Sequence, residues 1–123
     1  MHGLIAALLV ALLAPEATAA PACQRVHGRL FAANGTPSLR IWPIGTRRLL
    51  GIHDDASPEA LPPGLRGDRA PSMGATDDGR VEVYGDFTVC PLALDRPGHM
   101  QMVTLKAVSR ARWMRGGKPW RPG

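Results

Sequence analysis

The stretch at residues 26–46, VHGRLFAANGTPSLRIWPIGT, decides the fold. Val26 and Leu30 alternate with His27 and Arg29, and Leu39 and Ile41 alternate with Arg40 and Trp42. Alternation of this kind puts the apolar set on one face of a pleated ribbon and the polar set on the other. Asn34-Gly35 lies between the two runs, with Thr36-Pro37 just beyond. Asn and Gly both tolerate positive φ, so the pattern predicts a hairpin. Pro37 has no N–H to donate and suits the start of a strand or an edge. Gly28, Gly35, Pro37 and Pro43 punctuate the stretch too often for a helix.

Further strands extend outward from this hairpin. Residues 47–53, RRLLGIH, form a third candidate after the Gly45-Thr46 turn. Residues 81–90, VEVYGDFTVC, alternate again, and Gly85 interrupts the register as a bulge or bend would. Arg96-Pro97-Gly98 makes a turn, and residues 99–108, HMQMVTLKAV, give a last strand. The parity of that strand changes near Met102-Val103, which predicts a second bulge there. Residues 54–79 hold four prolines, at 58, 62, 63 and 71, and read as a long loop. Ser57-Pro58-Glu59 suits one helical turn, with Ser57 as cap and Pro58 at the first position. A loop of this length is expected to be a functional surface or a mobile insertion. Residues 110–123, RARWMRGGKPWRPG, read as a basic flexible tail. The expectation is all-β: a small antiparallel β-sandwich of about six to seven strands at residues 21–109.

Composition agrees with this. The chain has 123 residues, enough for one small domain. Hydrophobic residues make up 45% but aromatics only 5%, so the core must rest on Val, Leu, Ile and Met. Fourteen Gly and twelve Pro favour a turn-rich β protein. Residues 4–14, LIAALLVALLA, are apolar, Pro15 ends the run, and Ala17-Thr18-Ala19 fits a small-x-small cleavage site. Residues 1–20 therefore read as a signal peptide cut after Ala19 or Ala20, although Lys and Arg are missing from its start. The apolar run is too short for a permanent membrane span.

Two cysteines in an exported chain suggest a Cys23–Cys90 disulfide. The competing expectation is a lipoprotein acylated at Cys23, which would leave Cys90 as a free thiol. The formal net charge is +5, with 15 Lys and Arg. Such a balance permits binding to anionic surfaces, and the expected partner is an anionic polysaccharide or an envelope protein. Export and the lack of nucleic-acid motifs argue against nucleic acid.

The segments V26-H-G-R-L, N34-G-T-P and R40-I-W resemble the prealbumin-like and carboxypeptidase-regulatory-like β-sandwich domains, as do D78-G-R-V-E-V-Y-G-D-F and P97-G-H-M-Q-M-V-T-L. The resemblance covers about half of the chain beyond the leader and implies a β-sandwich. Some prealbumin-like proteins hydrolyse 5-hydroxyisourate, with a His shortly before a G-x-P turn. His27 precedes Gly35-Thr36-Pro37 here, but the chain ends Trp120-Arg121-Pro122-Gly123 where that family has Tyr-Arg-Gly-Ser. The chain is also similar to small uncharacterised exported bacterial proteins.

The candidate binding surface is Arg40, Trp42, Arg47 and Arg48 on the outer face of the first strands, together with the 54–79 loop. Arginine beside an exposed Trp can hold anions or stack on sugars. Tyr84 and Asp86, flanking the expected bulge, join this set. His53-Asp54-Asp55 could supply a base with an orienting carboxylate, and His99 is a second candidate base for a hydrolase. Asp77-Asp78-Gly79 opens like a Ca²⁺ loop but lacks the closing Glu. There is no phosphate-binding glycine motif, nucleophile elbow, HExxH or metal-ligand spacing, so no catalytic set, metal or cofactor is expected. The sequence points to an exported, non-enzymatic binding or structural module of the envelope. A hydrolase using His53 or His99 and a Cys23-anchored lipoprotein are the alternatives.

Overall fold

The computed structural model describes residues 21–123, so the expected signal peptide lies outside the described residues. Six strands form a single sheet: β1 (Gln24–Ala32), β2 (Leu39–Pro43), β3 (Leu50–Ile52), β4 (Val81–Pro91), β5 (Gln101–Arg115) and β6 (Lys118–Trp120). The all-β, mainly antiparallel expectation holds. The order is β3-β2-β1-β4-β5-β6, and β3 also pairs in parallel with β5. That extra pairing joins the two expected layers: β1, β2, β3, β5 and β4 follow one another in a closed ring, and β6 is appended to β5.

Alternation supplies the ring's interior. Leu30 of β1, Ile41 of β2, Leu50 and Ile52 of β3, Val83, Phe87 and Val89 of β4, and Val103 and Leu105 of β5 make one buried cluster. Gly28 of β1 faces Gly85 of β4. A Cβ at Gly28 would lie 2.8 Å from the Trp42 carbonyl oxygen, so β2 can approach β1 this closely only at glycine.

The long segment between β3 and β4 is a plug rather than a mobile insertion. It is built of short 3-10 turns at Pro58–Ala60, Pro63–Leu65, Gly67–Arg69 and Asp77–Gly79. The first begins as the sequence suggests: Ser57 Oγ accepts a hydrogen bond from the Glu59 N–H, and Pro58 opens the turn. Leu61 and Leu65 enter the core, and Ala60 and Ala70 pack against it. Burying two leucines fastens this end of the ring, which fixes the segment despite its lack of periodicity. Trp113 donates its indole N–H to the Arg69 carbonyl at 2.8 Å and ties the plug to β5.

The C-terminal residues are also ordered, where a flexible tail was expected. β5 runs on to Arg115, turns at Gly116-Gly117 (φ 58° and 78°), and returns as β6. Residues 113–115 pair with β4 on one side and β6 on the other, Arg112 pairs with β4, and this pairing holds the segment.

Candidate functional site

The cross-strand register brings one set of side chains together on the outside of the ring. Trp42 of β2 lies opposite Arg29 of β1, Arg29 opposite Tyr84 of β4, and Tyr84 opposite Arg112 of β5. Residues directly paired across strands point to the same face, so these four form a row over four strands. The Arg29 guanidinium lies 4.5 Å from the Phe31 ring centroid and 5.6 Å from that of Trp42. Its Nε is 3.1 Å from Glu82 Oε2, but the N–H is not aimed at that oxygen, so the contact is an ion pair without a directed hydrogen bond. Trp42 is half-buried and donates its indole N–H to the Thr46 carbonyl.

A second cluster sits beside the row, at the Gly85 bulge. Between the pairs Tyr84↔Arg112 and Asp86↔Ser109, β5 has one residue more than β4. The surplus is absorbed by Arg110, whose φ is 54°. A side chain opposite would crowd this kink, since a Cβ at Gly85 would lie 3.1 Å from the Ser109 carbonyl oxygen. Asp86 is 6% exposed. Its Oδ1 lies 2.9 Å from His27 Nδ1, and its Oδ2 accepts from Arg110 Nε at 2.8 Å. Arg25 approaches Oδ2 at 3.7 Å and donates to Ser109 Oγ at 2.8 Å. An ionised carboxylate can only accept, so His27 Nδ1 carries the proton. His27, Asp86, Arg110, Ala111 and Arg112 line a cleft of about 410 Å³.

The hydrogen bond from Arg110, then that from His27, holds the Asp86 carboxyl below its ordinary 3.8, against the opposing effect of burial. A depressed carboxyl stabilises the fold fully above its unfolded value and loses that contribution as pH falls through the folded one. Asp86→Asn is therefore expected to narrow the stability gap between neutral and strongly acid solution. Thermal melts at pH values on both sides of 3.8 check this. Parallel loss in both proteins would show that Asp86 has no part in acid unfolding. Asp55 has the same direction of shift for a separate reason: the Leu39 N–H bonds its carboxylate, assisted by Ser38.

The sequence-derived surface is brought together only in part. Arg40, Trp42, Tyr84 and Asp86 belong to the outer face just described, although Arg40 is spent on the Asn34 and Pro37 carbonyls of the β1–β2 loop. Arg47 and Arg48 do not join them. Arg48 makes a two-pronged ion pair with Asp95, one bond at 2.7 Å, and together with Arg47 lines a separate cleft with His99. The 54–79 loop is largely exposed, and it also contributes its Arg69 carbonyl and core leucines. His53 and His99 are both exposed, and no side-chain hydrogen bond to either is found among the described residues. Asp55, expected as an orienting carboxylate, bonds Ser38 and Leu39 instead. His27, Arg29, Arg110 and Arg112 were missing from the sequence-derived surface.

Cys23 and Cys90 form a disulfide, so neither sulfur is free for acylation. The lipoprotein expectation needs Cys23 acylated and Cys90 free, an arrangement different from this pairing. No helix among the described residues is long and apolar enough to cross a membrane.

No family model, curated protein or solved structure matches the chain. The functional reading therefore rests on the site itself.

Proposed function

We propose that this protein is an exported, non-enzymatic binding module of the cell envelope whose outer face takes an anionic polymer. The observation that carries this is the row Trp42–Arg29–Tyr84–Arg112, with Arg25, His27 and Arg110 beside it on the same face. Cationic side chains interleaved with aromatic rings offer charge pairing and stacking on one surface. The acids Glu82 and Asp86 on this face are each already paired with an arginine, which leaves positive charge over. The disulfide and the apolar leader support export. The hydrolase reading is less favoured because His53 and His99 have no orienting carboxylate among the described residues.

The test is retention on an immobilised acidic polysaccharide against neutral dextran, over a range of salt. Retention by the acidic matrix alone, weakening as salt rises, is expected. The double variant Arg25→Glu/Arg112→Glu should bind about tenfold more weakly or worse, a loss of about 1.4 kcal/mol. His53→Ala and His99→Ala should bind as the parent does. No retention at low salt, or equal retention on dextran, would overturn the proposal.

A further inference from the structure

The cleft at His27 and Arg110 does not end at Arg112. A larger groove of about 650 Å³ begins on the other side, and Ala111 and Arg112 line both. The walls of this second groove are Trp113, Trp120, Pro119, Pro122, Arg69 and Arg121, besides Met114 and the shared pair. It holds arginines and no acid. The fold makes it by returning β6 against β5, which sets Trp120 directly opposite Trp113. Trp113 is pinned through its indole N–H to Arg69. Arg115 lies 5.5 Å from the Trp120 ring centroid and, with Trp120, lines a different cleft. Arg115 is not part of the groove wall.

Two adjoining subsites of different chemistry follow. One is a charged cleft, where Arg112 makes no salt bridge among the described residues and Arg110 keeps donors beyond those given to Asp86. The other is lined by Trp113 and Trp120 together with Arg69 and Arg121. We infer that the two form one continuous track for an acidic oligosaccharide, in which an acid group is held at Arg112 and Arg110 and a neighbouring sugar ring stacks on Trp120. A guanidinium suits a carboxylate or sulfate ester by paired N–H donors. The C–H face of a sugar ring suits an indole, whereas a bare polyphosphate has no such face to offer. This deepens the anionic-polymer reading and rests on it, since it names the polymer as carbohydrate and the hairpin as part of its site.

The test is calorimetric titration of the full disulfide-bonded protein with tetragalacturonate, galacturonate monomer, maltotetraose, tetrapolyphosphate and a tetraglutamate peptide. Tetragalacturonate is expected to bind at least about tenfold more tightly than each of the others. Trp120→Ala and Arg112→Ala should each weaken it by about tenfold, and Trp120→Phe should restore most of the loss. His53→Ala, at an exposed residue outside both clefts, should leave it within about twofold. Melting temperature and near-ultraviolet circular dichroism establish that each variant is folded, and Trp120→Leu, which removes the aromatic face but keeps apolar bulk, serves if Trp120→Ala is not. Tetrapolyphosphate or tetraglutamate binding as tightly as tetragalacturonate would overturn the carbohydrate assignment. Unchanged affinity in folded Trp120→Ala would overturn the track. If acidic-polysaccharide retention persists in either case, the proposed function stands and only this inference falls. If retention itself is absent, both fall.

Discussion

A protein carrying Cys23→Ser and Cys90→Ser is expected to unfold about 4 kcal/mol more easily than the oxidised parent, by the loop entropy of the denatured chain. The two cysteines are 67 positions apart in sequence, so the bond removes much freedom from the unfolded state. It also sits where it is useful in the folded one. Cys23 immediately precedes β1, and the β1–β4 ladder ends at Gln24 opposite Val89, next to Cys90. The bond thus clamps the ladder at the point where it would fray. A domain of this size has a total stability of about 5–15 kcal/mol, so the loss is a large share. Urea unfolding of the parent, the reduced parent and the double variant measures it. The reduced parent should match the variant. A variant within about 1 kcal/mol of the oxidised parent would mean that residual structure in the unfolded chain already does the work of the clamp.

The second large effect is expected at Phe87. Its side chain is fully buried, and its neighbours across the sheet are Val26 on β1 and Val108 on β5. It is an aromatic ring in a buried cluster otherwise made of Val, Leu and Ile, against which the partly buried Trp113 packs. Phe87→Ala is expected to cost about 3–5 kcal/mol through lost burial and the cavity left behind. Leu94→Ala, at a side chain 63% exposed, is the control and should change stability by less than about 0.5 kcal/mol. Similar small losses at both positions would show that the ring interior collapses around the missing side chain.

How far the sequence carried can be followed strand by strand. β1, β2 and β4 were legible because each keeps one parity over most of its length, so alternation marked both the strand and its inner face. The same alternation already put His27 and Arg29 outside, beside Arg40 and Trp42. β5 was legible only in part because it carries two extra residues. The first lies at Lys106, since Thr88 pairs with Ala107 and Val89 with Leu105, and not at Met102-Val103 as the pattern suggested. The second lies at Arg110. Each flips which residues face inward, from Val103 and Leu105 to Val108 and then to Trp113, so no single period spans the strand. This is why residues 110–115 looked like a tail, and why Arg110 and Arg112 were not seen as part of the site. The plug at residues 54–79 was illegible for another reason. Its short 3-10 turns bury single leucines at irregular spacing, and only the Ser57-Pro58-Glu59 cap has a sequence signal. The salt bridge between Arg48 and Asp95 joins residues with no local relation, so a pattern-based reading counted Arg48 as free.

The closed ring also sets the order in which the protein can assemble. β1–β2 and β2–β3 join neighbours in the chain, but β1 must wait for β4, with Gln24 opposite Val89. β3 must wait for β5, with Leu50 opposite Gln101. Such distant pairings place folding at the slow end for small domains, on the order of milliseconds to seconds. A chain emerging from synthesis has two open strand edges, on β1 and β3, until the last third of the sequence arrives. Those edges are templates for pairing with another chain. Keeping nascent copies apart until Val103 is in place is therefore a requirement of this topology, and it makes the interval before closure, rather than the finished domain, the stage most exposed to aggregation.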